Sequence, residues 1–171
     1  MLTTERLELW QPTATDLEQL FALTEDAQTR RFLGNFEPNM ADSFARLHRN
    51  AGSWALHGYG SFMVRLRGEA AIIGNCGVFH SWRDMPGLND VPEAGWIVRR
   101  DHWGKGIAGE AMRAALAWFD GVHGPQRIGC MIDAGNAPSE KLAGALGFVE
   151  YHRQMGDEGE AVVLYERITT N

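Results

Sequence analysis

The stretch Arg99-Arg100-Asp101-His102-Trp103-Gly104-Lys105-Gly106-Ile107-Ala108 decides the architecture, because a strand runs into it and a helix opens out of it. Upstream, Glu93-Ala94-Gly95-Trp96-Ile97-Val98-Arg99 reads as a strand. Downstream, Ala108, Met112, Ala115, Leu116 and Phe119 recur at helical spacing between Lys105 and about His123. Two glycines one residue apart sit at the junction. Glycine enters φ > 0 without a Cβ clash, so successive backbone N–H groups can converge on one concavity. The helix start adds unpaired amide donors and about half a positive charge. Together these features suit an anionic phosphate.

Two familiar phosphate loops fail here. A P-loop requires GxxxxGK(S/T), whereas Lys105 precedes Gly106 and no Ser or Thr follows. A dinucleotide fingerprint requires GxGxxG; Ala108-Gly109 fits it poorly, and the strands before it read as antiparallel rather than as a βαβ start. Taken alone, the pattern also matches an ordinary glycine-rich strand–helix turn.

Outward from this loop the chain alternates simple elements. Leu7, Leu9 and Gln11 alternate with Glu8 and Trp10 as a first strand. Thr15 or Asp16 can cap a helix carrying Leu17, Leu20, Phe21 and Leu23. A second helix is predicted over 42–56, with Phe44, Leu47, Ala51 and Trp54 on one face, until Gly58 and Gly60 break it. Strands at Ser61–Leu66 and 71–79 flank the turn Arg67-Gly68-Glu69, and 81–92 reads as a polar connection. After the long helix, stopped by Gly121, Gly124 and Pro125, come a strand at Arg127–Asp133, a helix over 139–146 with Gly147 as its C-cap, and strands at 149–154 and 162–168 around a turn at 156–159. The expected fold is α+β, a mixed α/β sandwich of a mostly antiparallel seven-stranded sheet and four helices. No repeat or linker interrupts residues 1–171, which predicts a single domain.

Composition narrows the function. The 171 residues carry 16 Lys+Arg against 22 Asp+Glu, a net charge of −6, with 44% hydrophobic and 22% charged residues. That is ordinary globular usage, able to bury a core without disulfides or metal. The two cysteines, Cys76 and Cys130, make neither a disulfide framework nor a zinc quartet, so reduced thiols, no metal and a cytoplasmic location are expected. The opening residues lack a signal-peptide pattern, no run reaches the ~20 apolar residues of a membrane span, and no basic stripe with interleaved aromatics points to nucleic acid.

The segment Trp103-Gly104-Lys105-Gly106-Ile107-Ala108 resembles the acetyl-CoA pyrophosphate loop of the GNAT N-acetyltransferases, whose signature is Gln/Arg-x-x-Gly-x-Gly/Ala. Gly106 and Ala108 match; Trp103 replaces the leading Gln/Arg, as in the RimJ/RimL-like branch of ribosomal-protein N-terminal acetyltransferases. That branch's second signature also stands here, as Asn136-Ala137-Pro138-Ser139 followed by Leu146-Gly147-Phe148. The opening TERLELWQPTATDLEQLF and the strand PEAGWIV are similar to the family's first strand–helix unit and its cofactor-binding strand, so the resemblance spans nearly the whole chain.

The resemblance implies a sheet splayed between its fourth and fifth strands, 93–99 and Arg127–Asp133, with acetyl-CoA in the gap. The backbone of Ile97, Val98 and Arg99 would then bond the pantetheine arm, and the amides of Trp103, Gly104, Lys105, Gly106, Ile107 and Ala108 the diphosphate. Asn136 would serve the cofactor arm or cap the next helix before Pro138, and Ser139 would either cap that helix or donate to the departing thiolate. Many relatives place a tyrosine acid where this chain has Ala143, so that acid is missing. Glu93 is the candidate general base and His80 the reserve. Direct transfer without an acyl-enzyme is expected, with Cys130 the sole covalent alternative. The acceptor implied is a protein or peptide N-terminal α-amine bound by a monomer or homodimer. The alternatives are a small amine (polyamine, amino acid or aminoglycoside), or a non-catalytic acyl-CoA-binding module. Residues 30–34 and 81–92 would set acceptor choice.

Overall fold

A computed structural model describes residues 1–33, 37–155 and 161–168. Gly34 and the predicted turn at 156–159 lie outside these. The strands are β1 (Leu2–Thr3), β2 (Leu7–Trp10), β3 (Ser61–Leu66), β4 (Ile72–Trp82), β5 (Asn89–Val98), β6 (Arg127–Asp133), β7 (Val149–Met155) and β8 (Ala161–Ile168). The helices are α1 (Leu17–Glu25), α2 (Ala27–Arg30), α3 (Met40–His57), α4 (Ile107–His123) and α5 (Ala137–Ala145). All strands join one eight-stranded sheet in the order β1-β2-β3-β4-β5-β6-β8-β7. Every neighbouring pair is antiparallel except β5 and β6.

The mixed α/β class is as read from the sequence; the counts are corrected from seven strands to eight and from four helices to five. β1 pairs only Leu2 with Leu9 and Thr3 with Glu8, too short for alternation to register in sequence. α2 is a single turn capped by Asp26, whose carboxylate accepts from the Thr29 N–H at 2.7 Å.

Two apolar layers hold the helices to the sheet. On one face Leu7, Leu9, Phe62, Cys76 and Val78 pack with Ala111, Met112, Ala115, Leu116 and Phe119 of α4. On the other, Met63 and Ile72 pack with Leu20, Leu23 and Leu47 of α1 and α3. Burial of each large side chain in the first layer is worth about 1.5–3 kcal/mol, so α4 is the principal clamp on the sheet. α3 docks differently from the expectation. Phe44 and Ala51 face solvent, and the buried face is Ser43, Leu47, Asn50 and Ser53. The physical reason is polar. Asn50 donates to the Ser61 carbonyl at 2.9 Å and accepts from its N–H at 2.8 Å. The Ser53 hydroxyl donates to the Tyr59 carbonyl and accepts from the His80 N–H. These bonds to strand backbone, each worth about 1 kcal/mol, set the helix rotation that apolar periodicity alone misplaced.

The central feature is the β5–β6 junction. Their parallel pairing covers only Glu93↔Gly129 and Ala94↔Cys130, after which the strands diverge. The connection predicted over 81–92 is instead mostly strand: β4 reaches Trp82 and β5 begins at Asn89. The tip of this hairpin reaches across and ties the closed end of the wedge. Gly87 and Pro86 offer carbonyls to Arg127 (2.7 Å) and Tyr151 (2.8 Å), and Leu88, fully buried, packs on Gly129. A Cβ at Gly129 would lie 2.3 Å from Leu88 Cδ2. Gly129→Ala is therefore expected to cost about 1–3 kcal/mol through overpacking, read as a melting point lower by roughly 3–10 °C. An unchanged midpoint would show that Leu88 does not brace this junction.

Candidate active site

Past Ala94 the wedge opens into a cleft of about 570 Å³ walled by β4, β5, β6, α3 and the start of α5. The Arg99 N–H donates to the Ile73 carbonyl at 2.8 Å, within a ladder that pairs Gly74 with Val98 and Cys76 with Trp96. Antiparallel bonding alternates along a strand, so the peptide groups of Ile97 and Arg99 face β4 while those of Trp96 and Val98 face the wedge. Of the predicted backbone set, Val98 is directed into the gap. The Arg99 N–H is spent on the sheet, and the Trp96 peptide group faces the gap beside that of Val98.

The glycine loop follows. Gly104 and Gly106 both hold positive φ, +70° and +76°, as their spacing implied. α4 starts at Ile107 rather than Lys105, with Gly106 at the N-cap position and no side-chain cap over its first amides. Trp103, which replaces the family's Gln/Arg, donates its indole N–H to the Val98 carbonyl at 2.6 Å and so ties the loop to the end of β5. A clamp invisible in the sequence holds the loop from the other side. Arg6 donates to the Lys105 carbonyl at 2.8 Å and pairs with Glu110 at 2.6 Å; Thr4 bonds the same carboxylate.

Burial pushes the Glu110 carboxyl up, but the hydrogen bonds from Thr4 and Arg6 outweigh it and leave the group below its ordinary value. A carboxyl depressed in the folded state stabilises above its unfolded value, near 4.3, and loses that contribution as pH falls through the folded one. Glu110→Gln is accordingly expected to melt below the unmodified chain at pH 7, with the gap narrowing toward pH 3. A gap independent of pH would exclude the ion pair as its cause.

Across the wedge, Asn136 caps α5, its side-chain oxygen accepting the Ser139 N–H at 3.3 Å. Ser139 is thus not the cap. Its hydroxyl accepts from the Trp96 indole at 3.2 Å, which leaves its own proton free to donate within the cleft. Ala143 is fully buried, and no tyrosine lines the cleft among the described residues.

Glu93 lies at the vertex, 3% exposed, on the cleft wall. Both of its oxygens accept from Arg83 at 2.8 Å, a bidentate pair that holds the Arg83 guanidinium above its ordinary value. His80 also reaches the cleft but is engaged at both nitrogens, by the Tyr59 hydroxyl at 2.8 Å and Asp90 at 2.9 Å, and stacks on His57 at 3.7 Å. Cys130 is 1% exposed; burial first, and the Glu93 charge second, push its thiol far up. Such a thiol stays protonated and is a poor nucleophile at neutral pH.

Comparison with known proteins agrees with this geometry. Residues 6–149 match the acetyltransferase (GNAT) domain family. An uncharacterized N-acetyltransferase, p20 of Bacillus licheniformis, is 28% identical over 149 residues, covering 86% of this chain and 81% of that protein. A putative GnaT-family acetyltransferase from Bordetella pertussis superposes with a TM-score of 0.87 at 33% identity, covering 97% of this chain and 98% of that one. RimL, a ribosomal-protein α-N-acetyltransferase solved with coenzyme A, shares the fold at a TM-score of 0.76 and 16% identity, covering 98% and 96% of the two chains. A splayed sheet, an uncapped glycine-rich helix start and a family match across most of its length together make this chain a member of the GNAT acetyltransferase family, which uses acetyl-CoA.

Proposed function

We propose that the chain transfers acetyl directly to a primary amine, the α-amine at a protein or peptide N-terminus, as a member of the RimJ/RimL-like branch. The observation that carries this reading is the wedge itself. β5 leaves β6 after Ala94, so one bare strand edge runs between the uncapped start of α4 and the carboxylate of Glu93.

The residues present fit the cosubstrate. Positive φ at Gly104 and Gly106 lets the loop amides converge, and a capping side chain in place of Gly106 would fill the space a diphosphate needs. Gly104, Lys105, Gly106, Ile107 and Ala108 would hold the diphosphate, with the Trp103 indole fixing the loop. The wedge-facing peptides of Trp96 and Val98 would bond the pantetheine arm as an added strand, beside the Asn136 amide. Acetyl-CoA supplies the activated acyl group. The Val98 N–H is a fixed donor for the oxygen on which charge grows during transfer.

The chain's own groups then manage the protons. An ionised carboxylate has about four acceptor sites, of which Arg83 occupies two on Glu93. The rest can take the proton of the incoming ammonium, directly or through water, while the guanidinium fixes the carboxylate plane. The Ser139 hydroxyl, oriented by the Trp96 indole, can donate to the departing sulfur. A thiol with an ordinary pKa near 8.5 leaves readily, so this help is modest and a tyrosine at position 143 is dispensable. The protonated Cys130 thiol supports direct transfer.

The shape of the acceptor side favours a chain terminus. It lies along α3 and the hairpin, with Phe32 and Leu33 half-buried and Trp82 68% exposed at its mouth. Its wall carries Arg46, Arg49 and Arg83 rather than a ring of acids, which disfavours polyamines and aminoglycosides.

Thiol release from acetyl-CoA in the presence of N-terminal peptides tests this reading. Glu93→Gln should lower kcat/KM at least about tenfold and flatten its pH profile. Ser139→Ala should lower kcat about tenfold with little change in the acetyl-CoA KM, and Cys130→Ala should keep kcat within about threefold. Binding of acetyl-CoA without turnover on any amine would replace the enzyme reading with a non-catalytic acyl-CoA-binding one.

A further inference from the structure

We propose that the acceptor is an anionic amine, one whose own carboxylate or phosphate is bound by Arg46 and Arg49 on the α3 wall of the cleft. The inference rests on the acetyl-transfer reading and adds the charge of the substrate to it. Arg46 and Arg49 stand three residues apart on α3, hence on one helix face, and both line the cleft that holds Glu93. Among the described residues neither makes a hydrogen bond or a salt bridge. The third cationic wall residue, Arg83, is committed to Glu93.

Arg46 feels the charge of both Arg49 and Arg83. Burial first, then Arg49 and Arg83, pull Arg46 below its ordinary value, and Asp42 one turn earlier opposes this. Two other acids line the cleft. Glu93 is occupied by Arg83, and Asp133, on β6, has a partner of its own. Like charges gathered at a cleft wall without a counter-ion are stabilised by an anion that enters with the ligand, and the planar arginine fork suits a carboxylate or phosphate.

A guanidinium carries five N–H donors and no acceptor, so the Arg46–Arg49 pair is a donor-only patch on this wall, complementary to an anion and repellent to a second ammonium.

The test is kcat/KM for matched amines, each corrected for its fraction of free amine. The pairs are alanine against alaninamide, an N-terminal Ser-Asp peptide against Ser-Asn, and phosphoethanolamine against ethanolamine. At least one anionic member should exceed its neutral partner by tenfold or more, and the winning pair distinguishes an α-carboxylate, a peptide side chain and a phosphate. The combined variant Arg46→Gln, Arg49→Gln should erase that preference by raising KM for the anionic member at least tenfold. Its kcat and its KM for the neutral member should stay within about threefold. Equal values within every pair, or a preference that survives in the variant, would overturn the anionic acceptor and leave acetyl transfer intact. Turnover on no amine, with calorimetric binding of an anionic amine that the variant loses, would do the reverse. Neither turnover nor binding would remove both.

Discussion

Two pairs of residues, Glu93 with Gly129 and Ala94 with Cys130, are all that zip β5 to β6, and the rest of the molecule is arranged around that brevity. A parallel pair left unzipped exposes backbone donors and acceptors, which are costly to bury without partners. In the proposed function the unpaired edge would serve as a strand-like receptor, as an exposed sheet edge does for an added peptide strand. The divergence is held from both ends. At the closed end the hairpin tip reaches over to β6 and β7 through Arg127, Tyr151 and Leu88. At the open end the Trp103 indole and the Arg6–Glu110 pair hold the loop from which α4 starts.

The two sides of the cleft differ in chemistry because they draw on different donors. The side proposed for the cofactor is mainly backbone, amides at a helix start and along a strand edge, with little dependence on side-chain identity. The side proposed for the acceptor is built from side chains, three arginines and one engaged carboxylate. Backbone recognition suits a constant cosubstrate, whereas side-chain recognition on α3 and the hairpin can change without disturbing the sheet. Glu93, the proposed base, joins the two, since it belongs both to the short β5–β6 pairing and to the ion pair with Arg83 on the cleft wall.

α3 shows how that wall acquires its orientation. Its sequence advertises an apolar face through Phe44, Ala51 and Trp54, but Asn50 and Ser53 bond the backbone near Tyr59 and Ser61 and rotate the helix. Buried polar bonds are directional and an apolar stripe is not, so they decide the rotation once Leu47 supplies enough burial to dock the helix. The cap Asn39 with Asp42, an Asn-x-x-Asp pattern that could have been read from sequence, places the helix start two residues before the predicted one.

What the amino-acid sequence determined by itself was local: the alternation of the short strand β2, the helical burial face of α4, and two glycines whose backbone freedom makes the loop possible. Its motif order was also enough to indicate the family. What only the tertiary structure decided was which distant groups meet: Arg83 on Glu93, Arg6 on Glu110, the Trp96 indole on Ser139, and Arg46 and Arg49 on the wall of the cleft. The division is physical. Backbone dihedral preference and side-chain periodicity act over a few residues and are written in neighbouring letters. Pairings such as Arg6 with Glu110, 104 residues apart, exist only because strand registry and helix rotation have already brought their carriers together.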